Sequence, residues 1–287
     1  MDTNTLQAFL AVADAGSFSL AAEQLFLTQP AVSKRVAALE EELAVKLFER
    51  LGRSVLLTEA GRTLLPRAQR IFKEMAESRR SIADLSVEVG GVLQLATSHH
   101  VGLHRLPAVL RDYSRRYPKV AFDLQFMDSE AGCAAVAAGT RELAVVTLPW
   151  TPMSNLVVQP IWDDPLMVTT HCEHPLAKAE EVLPHLQLYP LILPEKGTVT
   201  RRLIEAPFEE MGLQLMIGVE TNSLETIRML VSVGLGWSVL PLSMLQEGLV
   251  CRPLPDIRFF RELGLVTRRN RNLCRAAQVF CEMLPSA

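Results

Sequence analysis

Between Phe26 and Leu43 the chain reads FLTQPAVSKRVAALEEEL. At 100° per residue, Pro30, Lys34, Ala37 and Glu41 fall on one side of a helix with Ser33 on its shoulder, and Val32, Val36, Leu39 and Leu43 fall on the other. An aliphatic back and a front of small residues with one cation suit close approach to duplex DNA: the small side chains leave room and the lysine meets phosphate. A helix that enters a major groove by its N-terminal turns keeps its rear away from the phosphates, so Glu40, Glu41 and Glu42 can be acidic without cancelling binding. The next stretch, VKLFERLGRSVLLTEAG, places two short β-like runs about Gly52, with Lys46, Arg50 and Arg53 against Glu49. It reads as a wing whose arginines reach phosphates or a minor groove.

Other candidate chemistry is sparse. His100 and His104 have the i, i+4 spacing of a metal pair, and His99 adjoins them, but no third ligand is evident, so no metal site is expected and donation to a bound carboxylate is the favoured use. No Gly-x-Ser-x-Gly elbow, P-loop or Gly-x-Gly-x-x-Gly occurs, and no catalytic residue is expected. The five cysteines, Cys133, Cys172, Cys251, Cys274 and Cys281, are scattered without a Cys-x-x-Cys pair, which fits buried thiols in a reducing compartment, with a redox pair as the alternative.

These groups need elements to hold them. With 287 residues, 49% of them hydrophobic, the chain is long enough for about two domains with real cores. Its net charge of -3 announces no nucleic-acid partner, and within residues 1–86 acids and bases are equal in number, so the positive surface must be local. Leu6, Phe9, Leu10 and Ala13 recur at helical spacing, Gly16 stops that helix and Ser17 caps a short second one ending near Leu25. Phe26 to Thr28 are the turn of a helix-turn-helix, Thr28 is the N-cap of the third helix, and Pro30 sits in its first turn. From Leu64 through Ala68, Ile71, Met75, Ser78 and Ile82 to Leu85 the steps of four and three mark a coiled-coil seam, best used for pairing with a second subunit; packing on its own chain is the alternative. Pro66 is expected to kink its start.

Beyond Gly90-Gly91, short β runs alternate with helices, which predicts two α/β lobes with a ligand cleft at strand ends and helix starts. The expected organisation is α/β overall: residues 1–58 a winged helix-turn-helix, 59–88 a linker helix, and 89–287 a binding module. Its first subdomain would take about 89–161 and 267–287, and its second about 162–266. No signal-peptide pattern or membrane-length apolar run is present, so a cytoplasmic protein with no membrane partner is expected.

Two stretches, FLAVADAGSFSLAAEQLFLTQPAVSKRVAALEEELAVKLFERLGRSVLLTEAG and TNSLETIRMLVSVGLGWSVLP, make the chain resemble the LysR-type transcriptional regulators of bacteria over its whole length. The resemblance implies a winged helix-turn-helix, a dimerising linker helix, and a two-subdomain effector module akin in fold to periplasmic binding proteins, its chain crossing twice between subdomains. It implies double-stranded promoter or operator DNA, a small-molecule effector and a second copy of the chain as partners, with tetramers of paired dimers usual and RNA polymerase a further partner. Carried onto matching positions, the DNA contacts are Gln29, Pro30, Ser33 and Lys34 in the recognition helix and Arg53 in the wing; for Arg50 a DNA contact and a solvated surface arginine are equal readings. The effector cleft corresponds to Thr97, Ser98 and His99 after the first strand, Ser129 after the second, Thr147, the loop Gly197 to Thr200 with Thr198 and Thr200, and Asn222-Ser223. Capping alone is an equal reading of Ser129 and Ser223. Hydroxyls and amides at helix starts favour a small anion or carboxylate as effector, with no other cofactor. Trp237 stands where members carry a smaller aliphatic residue; it either stacks on a planar effector or is a core tryptophan. A small-molecule-binding module without DNA function is the rival reading.

Overall fold

The computed structural model describes residues 1–51, 54–83 and 88–285, and the chain divides into two compact units, Met1–Ser86 and Val87–Ala287. In the first, local signals set the helix boundaries. α1 (Thr3–Ala15) starts at Asp2, whose carboxylate accepts from the backbone N–H groups of Asn4 and Thr5, and ends at Gly16 with φ of 61°. Ser17 caps α2 (Phe18–Gln24), and Thr28 caps α3 (Gln29–Leu43). β1 (Phe48–Leu51) and β2 (Ser54–Leu57) pair antiparallel, and α4 (Glu59–Ala83) follows.

Val32, Val36 and Leu39 of α3 are buried in the core of this unit beside Phe9, Val12 and Leu47, and burying each such aliphatic is worth about 1.5–3 kcal/mol. The stripe expected on α3 stops one turn early, for Leu43 is 37% exposed. Glu40 turns inward in its place: it is 9% exposed and accepts from the N–H groups of Leu47 (2.8 Å) and Phe48 (3.3 Å) and from Lys46 Nζ (2.7 Å). Only two of the three rear glutamates therefore face solvent, and Lys46 pairs with Glu40 rather than Glu49.

The linker helix runs through Pro66 without interruption. Its seam is committed in part to the head. Ala68 is fully buried in the first unit's core, with Leu64, Leu65 and Phe72 packed against it, so the early positions that periodicity assigned to a partner subunit face their own chain. Ile71 and Ser78 are exposed, while the side chains of Ile82 and Leu85 lie outside the described residues. Gly61 explains the end of TEAG, because a Cβ there would strike the backbone carbonyl of Leu47. It lets α4 start directly on the entrance to β1.

The second unit consists of β3 (Gly91–Thr97), α5 (His99–His104), α6 (Leu106–Arg116), β4 (Val120–Phe126), α7 (Ser129–Ala138), β5 (Leu143–Thr147), β6 (Leu156–His171), α8 (Pro175–Lys178), β7 (Leu191–Leu193), α9 (Val199–Glu210), β8 (Ile217–Glu220), α10 (Leu224–Ser232), β9 (Ser238–Pro241), β10 (Leu249–Arg252), β11 (Phe259–Arg268) and α11 (Arg275–Met283). The mixed sheet runs β10-β6-β11-β5-β3-β4, with β9 also on β6, and β7 and β8 pair in parallel apart from it. The single helix expected over residues 102–118 is two, broken at Arg105.

Two lobes share the crossover strands β6 and β11, which pair antiparallel from Phe259↔Leu166 to Arg268↔Leu156 with a bulge at Leu263/Gly264. One core gathers Leu93, Leu95, Tyr113, Ile161, Leu263 and Phe280; the other gathers Leu166, Val168, Leu191, Phe208, Trp237 and Phe259. The chain crosses out after Ile161 and returns between Phe259 and Leu263, earlier than the boundary at about 267 read from the sequence. Among the described residues no single helix is long and apolar enough to span a membrane.

Candidate functional site

Two surfaces carry the residues singled out above. On the first unit, Gln29, Pro30 and Lys34 are exposed along the front of α3 and Ser33 is half-buried. Gln29 Nε2 donates to Ser33 Oγ at 2.9 Å, one turn along the same face. Lys34 makes no ion pair with any described residue. Phe26, which the sequence did not mark, is 95% exposed in the turn before α3, with φ of 55°. The backbone of Arg50 pairs with Val55 in the wing, but the side chain of Arg50 and the whole of Arg53 lie outside the described residues. The carboxyl of Glu40 connects helix and wing. Burial pushes its pKa up, but the bonds from Lys46, Leu47 and Phe48 outweigh that and hold it below the ordinary value.

On the second unit a cavity of about 60 Å³ lies between the lobes, lined by Ser98, His99, Ser129, Thr147, Thr198, Thr200 and Asn222. With Ser223, which lines it too, eight of the ten cleft residues inferred from the sequence thus come together. Two do not. Thr97 is 1% exposed and its hydroxyl donates to the Val145 carbonyl at 2.8 Å, closing it off in the sheet. Trp237 is fully buried, its indole N–H shared between the carbonyls of Leu186 and Tyr189 and its ring edge-on to Phe208, so it is a core residue of the second lobe. Ser129 also behaves differently from a cap: it is the first residue of α7, and its hydroxyl accepts from the N–H of Thr147 at 3.1 Å, tying the helix start to the end of β5. Ser223 does cap α10, accepting from Thr226.

The sequence reading missed the charged part of this site. Arg261 on β11 and Asp164 on β6 are cross-strand partners, 5% and 1% exposed, joined by Nε to Oδ2 at 2.7 Å. Arg105 Nη2 reaches Asp164 Oδ1 at 3.2 Å, and His100 Nε2 is 3.6 Å from Asp164 Oδ2. Burial alone would raise the Asp164 pKa, but His100 and Arg261 together bring it down to about 2. Burial acts oppositely on His100 and holds it below the usual imidazole value. Arg261 Nη1 donates to Thr200 Oγ1 at 2.9 Å in the second lobe. Its Nη2, both ring nitrogens of His100 and the hydroxyl of Ser98 are buried without a hydrogen-bond partner, and all three residues line the cavity.

Lobe-to-lobe contacts ring this floor. Glu130 Oε1 accepts from the N–H of Val199, Asp128 Oδ2 accepts from Asn222 Nδ2, and His104 Nε2 meets Glu225 Oε1, at 2.7, 2.9 and 2.7 Å. The His104 ring lies 4.9 Å, centroid to centroid, from that of His100 while its Nε2 is engaged by Glu225. No cluster able to hold a metal occurs among the described residues.

Comparisons with known proteins bear on the family and the fold. A family model described as bacterial regulatory helix-turn-helix protein, lysR family, matches residues 3–62, and one described as LysR substrate binding domain matches residues 87–287. The transcriptional activator CmpR of Synechocystis is 32% identical over 285 residues, covering 97% of this chain and 93% of that protein. Full-length CbnR, solved in complex with its target DNA, superposes with a TM-score of 0.72 at 23% identity over 99% of both chains. The regulatory domain of Synechocystis CcmR, solved with 2-PG, gives 0.61 at 24% identity over 68% of this chain and 95% of that one. The chain belongs to the LysR family of DNA-binding transcriptional regulators, with an N-terminal helix-turn-helix and an α/β substrate-binding domain.

Proposed function

We propose that this regulator binds a specific operator through the front of α3 and is controlled by a small anionic effector held between the two lobes. Gln29, Pro30, Ser33 and Lys34 enter the major groove, and Arg50 and Arg53 of the wing neutralise phosphates at its flank. The remainder of the α4 seam, which begins at the exposed Ile71, pairs two subunits so that two heads meet two half-sites; assembly of two such dimers into a tetramer, and contact with RNA polymerase, extend the same reading. The Lys34→Ala variant is expected to bind operator more weakly and to lower the slope of log affinity against log salt by about one unit. Unchanged affinity and slope would remove Lys34 from the interface.

The observation that carries the effector reading is the set of unspent donors on the cavity floor. A buried donor left unpaired costs about 1–3 kcal/mol, and Arg261 Nη2 and Ser98 Oγ line one cavity together. An incoming carboxylate or other oxyanion supplies the missing acceptors, which parallels the 2-PG complex of the related CcmR domain. Ser98→Ala is expected to weaken effector binding about tenfold, the value of one hydrogen bond near 1.4 kcal/mol, with effector-free DNA binding intact. Superimposable titration curves for parent and variant, measured by calorimetry with an oxyanion found by thermal-shift screening, would reject the assignment.

A further inference from the structure

The cavity between the lobes is small. Each water needs about 10–15 Å³ of such volume, so 60 Å³ holds a handful of waters or an anion of a few heavy atoms. One of the residues lining the cavity is an acid of the chain's own. Glu130, in the first turn of α7 in one lobe, reaches across and accepts at 2.7 Å from the N–H of Val199, the first residue of the 12-residue helix α9 in the other. A carboxylate at a helix N-terminus is what an anionic ligand would offer there, since the first N–H groups of a helix are unpaired and point at the bound charge. Beneath that contact lie the Arg261 guanidinium and the His100 ring, each 5% exposed and each with nitrogens that have no hydrogen-bond partner. The donor set is therefore split: at the α9 N-terminus Glu130 takes the Val199 N–H and Thr198 that of Arg201, while on the floor Arg261 Nη2 and Ser98 Oγ stay unpaired.

We infer that Glu130 is a built-in competitor for the effector: its carboxylate holds the α9 N-terminus in the ligand-free protein, and an anion seated on Arg261 and Ser98 displaces it, exchanging a Glu130 latch between the lobes for a ligand latch. Two features favour displacement over coexistence. A second anion at the α9 N-terminus would sit against Glu130 and beside Asp128, and like charges in a partly buried site repel strongly. Among the described residues Glu130 makes one bond, to the Val199 N–H, whereas Glu225 holds both His104 and Arg228, so Glu130 leaves at the cost of a single hydrogen bond. The exchange also gives the site its selectivity: a ligand must carry enough acceptors to satisfy both the floor and the helix N-terminus. A dicarboxylate or tetrahedral oxyanion meets that requirement and a monocarboxylate does not.

This inference rests on the anionic-effector reading and is separable from it. Calorimetric titration of the full chain with sulfate and with succinate is compared for the parent, Glu130→Gln, and Glu209→Gln, the last removing an equal charge from the exposed far end of α9. Glutamine keeps the acceptor while removing the charge, so Glu130→Gln is expected to bind the better of the two anions about tenfold more tightly than the parent, with Glu209→Gln unchanged. Equal affinities for the parent and Glu130→Gln would overturn the competitor role and leave the anion site standing. No binding of either anion by any folded variant would overturn both. Should Glu130→Gln fail to fold by thermal unfolding, Glu130→Ala takes its place: it removes both the charge and the acceptor of the Val199 bond, and the same tenfold gain or its absence decides the matter.

Discussion

Replacing Asp164 by alanine is expected to destabilise the α/β domain by about 3–5 kcal/mol, the usual cost of leaving one member of a buried ion pair without its partner. In a domain of this size that lowers the melting temperature by about 6–20 °C, read by calorimetry on the full chain. The size of the effect follows from geometry: Asp164 is 1% exposed and is the acceptor for Arg261 Nε and Arg105 Nη2, so its loss leaves the buried Arg261 guanidinium without its carboxylate. Replacing Asp164 and Arg261 together by leucine and methionine is expected to recover most of the loss, since an apolar pair of similar volume avoids both desolvation costs. The pH dependence has a defined sign. The folded pKa of about 2 lies below the ordinary 3.8, so the contribution is fully present above about pH 4 and is lost as pH falls toward 2. The variant should lose that segment of its acid unfolding curve. A variant as stable as the parent would mean that the quartet around Asp164 is not formed.

Replacing Glu40 by alanine is expected to cost the head about 2–4 kcal/mol, because the buried N–H groups of Leu47 and Phe48 lose their shared acceptor and each unpaired donor costs about 1–3 kcal/mol. Its carboxyl is held below the ordinary range when folded, so this contribution too is present near neutrality and is lost on acidification. The consequence reaches beyond stability. Glu40 is the bond between the rear of α3 and the start of β1, so its loss frees the wing relative to the recognition helix. Operator affinity should fall even at temperatures where circular dichroism shows the head fully folded. Glu40→Gln, which keeps one acceptor, should sit between the two. A loss of stability with unchanged operator affinity would separate the wing from DNA binding.

Glu40 also shows where sequence reading runs out. Gly16, Ser17, Thr28 and Pro30 are local signals, each acting through its own backbone neighbours, and the boundaries of α1, α2 and α3 fall where they predict. Periodicity put Glu40 on the solvated rear of α3; its burial depends on the chain turning back after Ala44 to bring Leu47 and Phe48 beside it, a contact that helical periodicity does not encode. Ala68 errs in the same way, its heptad position implying a partner subunit while the head of the same chain covers it. In the cleft, Ser98, Ser129, Thr198 and Asn222 were legible through the family resemblance, and they meet because an α/β fold gathers strand ends and helix starts. Arg261 and Asp164 were not, for they meet only through the register of two long strands about a hundred residues apart. Trp237 was ambiguous because burial of an aromatic is decided by what lies over it, here the carbonyls of Leu186 and Tyr189 and the ring of Phe208.

The central claim, that the exposed front of α3 reads a DNA sequence, is tested most directly by selecting bound fragments from random duplex DNA with the purified full chain at low ionic strength, with and without added oxyanions. The account predicts enrichment of one defined sequence containing two related half-sites, with enrichment lost in the Lys34→Ala protein or greatly reduced. Folded protein that enriches no sequence under either condition would contradict it.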